Sequence, residues 1–247
     1  MRLLILSDLH ANLTAFEAAL EAASGKWDAA VCLGDVVGYG PDPAAVSEKL
    51  QSITKDVIRG NHDKAVAGIM TSDDFNPIAR LAVDWTQAQL SPDLMTWLAA
   101  LPAGPKTAEG VVLIHGAFQD EDEYVFTPGQ ALEGLLDSST VLSFFGHTHH
   151  QGGFSYHESD IAVLPLRPRP METFSALHLE PGHKYLLNPG SIGQPRDGDP
   201  RASMMIYDTS DRSAVVHRVP YAIERAAAKI RDAGLPAMLA DRLAIGH

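Results

Sequence analysis

The amino-acid sequence predicts an α/β fold in which two β-sheets pack against each other. Strand-like and helix-like segments alternate up to residue 150, and strand-like segments joined by short turns follow. Asn-Pro, Ser-Pro and Thr-Pro pairs mark three helix starts. A hydrophobic fraction of 45% over 247 residues is sufficient for a full core without disulfide bonds.

The first half of the chain favours a substantially parallel sheet. Apolar runs predict strands at 3–6, 29–33, 56–58, 111–114 and 141–145. Helices are expected at 12–23, 43–50, 77–90, 92–101 and from Pro128 onward, the last three because proline suits the first helical position. Since strands and helices alternate, ligand groups are expected at the carboxyl ends of the strands.

The second half has a different pattern. Strands are predicted at 161–164, 173–179, 185–187, 203–207 and 214–219. Because the turns between them are short, we expect antiparallel strands that form a second sheet packed on the first. Residues 221–247 predict two short peripheral helices broken at Gly234-Leu235-Pro236. No linker or repeat is evident, so a single domain over 1–247 is predicted.

Composition restricts the classes of partner and compartment. The net charge of −12 disfavours non-specific binding to nucleic acid, although bound cations would still allow an anionic substrate. No segment approaches the roughly 20 apolar residues of a membrane helix, and the run at 3–6 is too short for a signal peptide. The single cysteine, Cys32, lies in an apolar run and is expected to be reduced and buried. We therefore predict a cytoplasmic protein without a membrane partner, and a homo-oligomer is compatible with the sequence.

Five short motifs follow predicted strands and carry most of the chemistry of the chain. They are Asp8-Leu9-His10, Gly34-Asp35, Gly60-Asn61-His62-Asp63, His115-Gly116 and Gly146-His147-Thr148-His149. Residues two apart in an extended segment point to the same side, so each Asp-x-His or His-x-His pair can bind a cation. A carboxylate such as Asp35 has two oxygens and can bridge two cations. The motifs together predict a two-metal site.

Each of these residues also has a structural interpretation. An aspartate at a strand end is usually a turn or helix cap, Asn61 alone is typical of a turn, and His115 alone is typical of a core histidine. Their joint occurrence favours the metal site, because open α/β sheets build sites at such strand ends. Nitrogen and oxygen donors without thiolate suit manganese, which we predict, with iron, zinc or nickel as alternatives.

The combined pattern resembles the calcineurin-like metallophosphoesterase superfamily, whose motifs are D-x-H, G-D, G-N-H-[DE], H and G-H-x-H. The segment Asn188-Pro189-Gly190-Ser191 is similar to one in its compact bacterial and archaeal phosphodiesterase-like branch, so the resemblance covers about residues 1–210. It implies a four-layer α-β-β-α sandwich of two mixed β-sheets flanked by helices.

The resemblance also implies a set of ligands for two divalent metal ions. Its first metal would be bound by Asp8, His10 and His149. Its second would be bound by Asn61, His115 and His147, with Asp35 as the bridge. A hydroxide shared by the metals would then attack a small phosphodiester or phosphomonoester, which makes a small phosphorylated molecule the expected partner.

Two further residues receive catalytic roles from the resemblance. His62 would protonate the leaving group or orient the phosphate, and Asp63 would hold the His62 ring in place. The Ser/Thr protein phosphatases of the superfamily carry an arginine in G-D-x-V-D-R-G. Residues 34–40 of this chain read Gly-Asp-Val-Val-Gly-Tyr-Gly, so that arginine is missing and a protein-phosphatase activity is disfavoured.

The residues that would select the substrate are less clearly marked. Asn12 and Arg59 are weak candidates for phosphate contacts, with a helix N-cap and a structural ion pair as their respective alternatives. The acidic run 120–123 is expected near the mouth of the site, where it would disfavour polyanions, unless it is a solvated loop. Weaker candidates still are Arg167, Arg169, Asn188, Ser191 and Arg196.

Two alternative functions remain open at this stage. Some members of the superfamily keep the fold but serve as non-catalytic protein-binding scaffolds, and these lose metal ligands that this chain retains. A nuclease is the other alternative, although the acidic balance of the chain counts against it. The predicted enzyme is a metal-dependent phosphoric ester hydrolase.

Overall fold

The computed structural model describes residues 1–73, 75–137 and 140–247. The strands in this part of the chain are β1 Arg2–Leu6, β2 Ala29–Cys32, β3 Lys106–Ala108, β4 Val111–Leu113, β5 Leu142–Phe144, β6 Gly152–His157, β7 Asp160–Leu164, β8 Phe174–His178, β9 Lys184–Asn188, β10 Ala202–Asp208 and β11 Ser213–Val219. The helices are α1 Leu13–Ala23, α2 Pro43–Ile53, α3 Asn61–Val66, α4 Pro77–Gln89, α5 Pro92–Ala99, α6 Pro128–Asp137, α7 Ile223–Asp232 and α8 Ala237–Asp241, followed by a 3-10 turn at Arg242–Ala244.

The strands form two mixed sheets. One sheet has the order β2-β1-β10-β11-β8, in which β1 and β2 are parallel and the other pairs are antiparallel. The other has the order β3-β4-β5-β9-β6-β7, in which β4, β5 and β9 run parallel. With helices on the outer faces, this is the expected four-layer α-β-β-α sandwich.

The expectation that the late strands form a sheet of their own is wrong. Strand β10 pairs with β1 in one sheet, and β9 pairs with β5 in the other. The early strands would otherwise leave unpaired hydrogen-bonding edges, which are unfavourable when buried. The late strands cover these edges, and each sheet therefore combines both halves of the chain.

The inner faces of the two sheets pack against each other. Leu3 and Ile5 of β1 contact a buried cluster that includes Leu113 of β4, Phe144 of β5 and Leu187 of β9. Because side chains alternate along a strand, the intervening residues of β1 point to the opposite side of the sheet. Strand β1 is consequently buried on both faces, which explains its continuous apolar sequence.

Helices cover both outer faces. Leu4 and Leu6 of β1 pack with Phe16 of α1 and with other apolar residues of α2, α3, α4 and α5. On the opposite face, Ala131 and Leu135 of α6 belong to a cluster with residues of the second sheet. The C-terminal helices α7 and α8 pack with α4 in a third cluster, as part of the peripheral pair that the sequence predicts.

Several local expectations are confirmed and a few are wrong. Helices begin at Pro77, Pro92 and Pro128 as predicted, and Cys32 is free and buried. The predicted strand 56–58 is reduced to one parallel bridge between Val57 and Cys32. Strands β3 and β6 and helix α3 were not anticipated, since none of them has the long apolar pattern that marks a regular element.

No helix of the described residues has both the length and the apolar character that a membrane span requires.

Arg218 generates a prediction about stability. This fully buried side chain forms an ion pair with Asp197 and donates from Nε to Gln151 Oε1 at 3.0 Å. Arg218→Met would leave the buried Asp197 carboxylate unpaired, so we expect the free energy of unfolding to fall by about 3–5 kcal/mol. Urea denaturation measures this loss, and Arg225→Met on the exposed side of α7 is the matched control.

The double variant Arg218→Met with Asp197→Asn should recover part of the loss, because no unpaired charge then remains buried. A loss below about 1 kcal/mol in the single variant would contradict the prediction.

Candidate metal centre

The predicted ligands converge at the carboxyl ends of four strands. Asp8 and Asp35 follow β1 and β2, and His115 and the pair His147 and His149 follow β4 and β5. Asn61 is the first residue of α3. Strands β1 and β2 lie in one sheet, and β4 and β5 lie in the other. The site therefore lies where the carboxyl ends of these two pairs of strands come together.

Five of these residues adopt a backbone conformation that is rare for side chains other than glycine. Their φ angles lie between 46° and 64° at Asp8, His10, Asp35, His147 and His149. Such left-handed conformations cost about 1–3 kcal/mol each and persist where the surrounding structure imposes them. They turn consecutive side chains toward one centre, which an ordinary extended strand end would not do.

The side chains form two buried groups that share Asp35. One group contains Asp8, His10, Asp35 and His149, and the other contains Asp35, His115 and His147. Asp35 Oδ2 lies 3.6 Å from His10 Nε2 and 3.5 Å from His115 Nε2. The structure therefore brings these six side chains into two groups with the Asp35 carboxylate common to both, and their role as metal ligands stays a prediction.

Backbone carbonyls determine how three of the histidines present their nitrogens. The Nδ1 atoms of His10, His115 and His149 lie 3.2, 2.7 and 2.6 Å from the carbonyl oxygens of Val37, Leu33 and Gln194. A neutral imidazole that donates from Nδ1 has an acceptor lone pair on Nε2. The Nε2 atoms of His10 and His149 are thereby prepared to bind a cation, and Nε2 of His115 faces the same centre.

The contact between His10 and His149 tests whether these residues fit a metal ion. Their Nε2 atoms lie 3.0 Å apart, yet each ring already donates from Nδ1 to a carbonyl. Two facing lone pairs repel, and a shared cation removes the repulsion. His149 Nε2 also lies 3.4 Å from Asp8 Oδ1, so a carboxylate completes the donor set.

The second group presents its donors differently. His147 Nε2 lies 3.0 Å from the carbonyl oxygen of Asp122, which leaves Nδ1 for a cation. His115 Nε2 lies 3.3 Å from Asn61 Oδ1, which brings the amide oxygen beside the imidazole. The available donors are again nitrogen and oxygen, as manganese, iron, zinc or nickel would require.

The pKa values of the histidines agree with a cation site. Burial lowers the pKa of His10 and of His149 well below the ordinary value, and lowers the pKa of His147 to about 3, so these rings are neutral ligands at pH 7. Burial also opposes charge on His115, but the Asp35 carboxylate outweighs it and raises the pKa of His115 to about 9. The region between Asp35 and His115 thus stabilises positive charge.

Asp63 does not orient the His62 ring, so that expectation is wrong. Asp63 Oδ1 accepts from the backbone N–H groups of Val36 and Val37 at 2.9 and 3.2 Å, and Oδ2 accepts from Gly60 N–H at 3.0 Å. Both oxygens therefore support the backbone on either side of the site. The carboxylate holds the loop that follows Asp35, and its role is structural.

Two glycines of the motifs are required by close approach. A Cβ on Gly60 would collide with the Asp35 side chain and would lie 2.5 Å from the Asp35 backbone nitrogen. A Cβ on Gly146 would collide with Ser7 Oγ, which itself donates to Asp8 Oδ2 at 2.6 Å. Any larger residue at either position would displace a carboxylate of the site.

His62 lies in the wall of a cavity of about 350 Å³ beside the ligands. Its ring centroid is 4.3 Å from that of Tyr39 and 4.9 Å from that of Phe75. Nδ1 is buried without a hydrogen-bond partner, next to Gly38, and burial lowers the pKa of His62 to about 4. The ring is therefore neutral at pH 7.

Asn12 is a helix N-cap and Arg59 forms a structural ion pair, which are the alternative roles that the sequence left open for them. Asn12 Oδ1 accepts from the Ala15 backbone N–H at 3.1 Å as the N-cap of α1, and its Nδ2 donates to the Gly193 carbonyl at 2.9 Å. Arg59 forms a two-point ion pair with Glu121, at 3.1 and 2.8 Å. Neither residue lines the cavity beside the ligands, so phosphate contacts by Asn12 and Arg59 stay a prediction that this geometry does not support.

The acidic run lies at the mouth of the site, with Asp120 and Glu123 exposed and with Glu121 and Asp122 half-buried. Asp122 lines the cavity, and its carbonyl oxygen contacts His147. Lys64 neutralises this part of the loop through Glu121 at 2.9 Å and Asp122 at 2.5 Å. The loop is therefore attached to α3 through Glu121 and Asp122, whereas Asp120 and Glu123 are exposed.

The remaining weak candidates have three different locations. Asn188 and Ser191 are fully buried and support the ligands, since Asn188 Nδ2 donates to the Gly146 carbonyl at 2.9 Å and Ser191 Oγ donates to the Asp8 carbonyl at 2.8 Å. Arg167 and Arg169 line a different cavity. Arg196 lies in the wall of the cavity at the metal centre.

Sequence reasoning missed the aromatic residues around the site. Tyr39 packs against His10, with ring centroids 4.7 Å apart, and Tyr124 stacks on His147 at 3.9 Å. Phe75, with Met70 and Ala79, forms an apolar part of the cavity wall. Tyr39 could have been suspected from its place in the Gly34–Gly40 motif, whereas no local pattern marks the others.

The shared position of Asp35 predicts different metal losses in two variants. Asp35→Asn should lower the affinity for both ions by about 10–100-fold or more, whereas His10→Ala should affect only the ion of its own group. Mass spectrometry of manganese-loaded protein after dialysis measures the ions per chain, with exposed His178→Ala as the control. Equal loss in the Asp35 and His10 variants would contradict the bridging role.

Comparison with known proteins agrees with this geometry. Residues 1–212 match the family described as the calcineurin-like phosphoesterase superfamily domain. The chain is 31% identical over 253 residues to the uncharacterized protein MJ0912 of Methanocaldococcus jannaschii, which covers 98% of this chain and 97% of that protein. It is 28% identical over 219 residues to phosphodiesterase YfcE of Escherichia coli K12, with 83% and 87% coverage.

A solved structure extends the likeness to three dimensions. The crystal structure of a metallophosphoesterase from Sphaerobacter thermophilus matches with a TM-score of 0.85 and 37% identity, and covers 100% of this chain and 99% of that one. The likeness therefore covers the whole fold of this chain, including both sheets. The chain belongs to the calcineurin-like phosphoesterase superfamily.

Proposed function

We propose that the protein is a dinuclear metal-dependent phosphoesterase that hydrolyses a small phosphodiester or phosphomonoester. The observation that carries this proposal is the pair of buried ligand groups that share Asp35. The facing Nε2 atoms of His10 and His149 support it, because a cation bound between them would remove the repulsion of their lone pairs. Membership of the family and the likeness to a phosphodiesterase and a metallophosphoesterase support the reaction class.

The site residues favour two divalent cations, and we propose manganese. When bound, such ions supply a water acidified to near neutrality and positive charge against the phosphoryl oxygens. The protein's own contribution is to hold the donors rigidly. Carbonyl groups orient the rings of His10, His115 and His149, and Ser7 and Ser191 support Asp8.

The cavity supports a small substrate. Its volume of about 350 Å³ lies at the lower end of the range for small-molecule sites. Asn61, His62 and His147 line its polar side, and Phe75 and Met70 line an apolar side. A phosphoester with a compact apolar leaving group would place its phosphoryl group at the ligands and its leaving group against the apolar wall.

His62 is the side chain that we assign to the leaving oxygen or to an adjacent phosphoryl oxygen. Its Nδ1 is buried against Gly38, so the Nε2 edge is left for the cavity. Its backbone N–H donates to Asp35 Oδ1 at 2.9 Å, which links its position to the bridging carboxylate. A neutral ring at this place can donate one N–H to the substrate.

The proposed activity is tested with the purified protein and added manganese. We expect hydrolysis of bis(4-nitrophenyl) phosphate or 4-nitrophenyl phosphate, and losses of about 10²–10³-fold or more in Asp35→Asn and His115→Ala, because both changes remove metal donors. Release of 4-nitrophenolate measures the rate, and His178→Ala is the control. Equal rates in the wild type and in the two variants would overturn the proposal.

The role of His62 is tested with a series of leaving groups. His62→Ala should lower kcat by about 10²–10⁴-fold. If the ring takes up a second proton in the substrate complex and donates it to the leaving oxygen, phenyl esters should lose more activity than 4-nitrophenyl esters, because phenolate is the poorer leaving group. Steady-state kinetics with aryl phosphodiesters of graded leaving-group pKa measure the difference. A uniform loss across the series would assign His62 to phosphate orientation instead.

A further inference from the structure

Arg196 approaches the metal centre from the loop that follows β9, outside the five metal-site motifs. Its backbone N–H donates to the His149 carbonyl at 3.3 Å. Its guanidinium lies in the cavity wall, where Nη2 donates to Tyr39 Oη at 3.3 Å and to Gln194 Oε1 at 3.1 Å. The guanidinium carbon is 5.6 Å from the centre of the Tyr39 ring.

The charge of Arg196 is not compensated by the protein around it. Its hydrogen-bond partners are a phenol and an amide, and its Nε is buried without a partner. Within residues 1–73, 75–136 and 140–247, Arg196 forms no ion pair with a carboxylate. By contrast, Arg59, Arg201 and Arg218 are each paired with an aspartate or glutamate.

A second arginine, Arg242, adds positive charge beside the Tyr39 ring. The guanidinium carbon of Arg242 lies 5.7 Å from the centre of the Tyr39 ring. Burial, with the nearby positive charge of Arg196, lowers the pKa of Arg242. The face of the Tyr39 ring attracts both guanidinium groups, but their like charges repel each other, so positive charge remains beside this ring.

Tyr39 belongs to the segment in which the arginine of the protein phosphatases is missing. The Tyr39 ring packs on His10 and His62, and its hydroxyl accepts the hydrogen bond from Arg196. Arg196 thus approaches the Gly34–Gly40 segment from outside it. A cation is thereby restored to this side of the site although the local sequence lacks one.

We propose that Arg196 binds the non-bridging oxygens of the substrate phosphoryl group, with Tyr39 holding the guanidinium toward the cavity. This inference rests on the proposed function, whose substrate-binding residue it names. A guanidinium offers several N–H donors in a planar fork, which matches phosphate geometry. Its unpartnered Nε and its neutral partners leave that capacity unused by the protein.

The experiment compares Arg196→Met with Arg225→Met in the manganese-loaded protein. The exposed Arg225 of α7 lies outside the cavity, so its variant is the matched control. Isothermal titration with inorganic phosphate should give a Kd that rises by about 10–100-fold in Arg196→Met, the loss of a charge-assisted hydrogen bond. kcat/KM for the aryl ester should fall by about 100-fold, while the manganese content stays at the wild-type value.

Chemical rescue separates substrate binding from a purely structural role. Added guanidinium at low concentration should restore part of the activity and of the phosphate affinity of Arg196→Ala, because the ion can occupy the vacated place. A packing role would not respond in this way. If Arg196→Met loses metal or unfolds, Arg196→Lys is the variant that tests the inference. Lysine keeps the charge but lacks the planar fork, so this variant should bind phosphate at least about 10-fold more weakly than the wild type.

The inference would be overturned if Arg196→Met kept the phosphate affinity and the kcat/KM of the wild type. If the methionine variant does not fold, wild-type phosphate affinity in Arg196→Lys would overturn it instead. Failure of the proposed function is distinguishable. A wild-type protein that binds phosphate through Arg196 but hydrolyses none of the esters would contradict the phosphoesterase proposal and support the phosphate site.

Discussion

The apposition of His10 and His149 is the constraint on which the arrangement of the site depends. Two acceptor nitrogens 3.0 Å apart repel, and they stay together only because each ring is held from its far side by a backbone carbonyl. Those carbonyls belong to Val37 and Gln194, so two loops must be correctly placed. The left-handed backbone at both histidines adds a further cost, which the buried core of the two sheets offsets.

The buried charges of the site also depend on their neighbours. The Asp35 carboxylate is fully buried and shared between two groups of donors, so it is stable only beside positive charge. His115 responds with a raised pKa of about 9, in spite of its burial. At the mouth of the site, Lys64 and Arg59 form ion pairs with Glu121 and Asp122, which reduces the negative charge that an anionic substrate meets there.

Much of this could be predicted from the sequence, and the failures have identifiable causes. The motifs follow strand ends, so Asp8, Asp35 and His115 could be placed by the periodicity of the preceding apolar runs. The role of Asp63 could not, because a carboxylate that accepts from backbone N–H groups looks the same in sequence as one that orients a ring. The partition of late strands between the sheets depends on which edges need covering, and Tyr124 reaches the site only through tertiary contacts.

The loop from Ser191 to Asp197 contacts the candidate ligands, the cavity and a buried ion pair within seven residues. Ser191 holds the Asp8 carbonyl, Gln194 holds the His149 ring, Arg196 faces the cavity, and Asp197 is anchored to the buried Arg218. Because these contacts are spaced along one short stretch of backbone, its length is constrained as strictly as its composition. An insertion or deletion of one residue would displace the His149 ring and the Arg196 guanidinium together. This loop is therefore a poor place for evolution to vary specificity, and the apolar wall around Phe75 is left as the surface free to change.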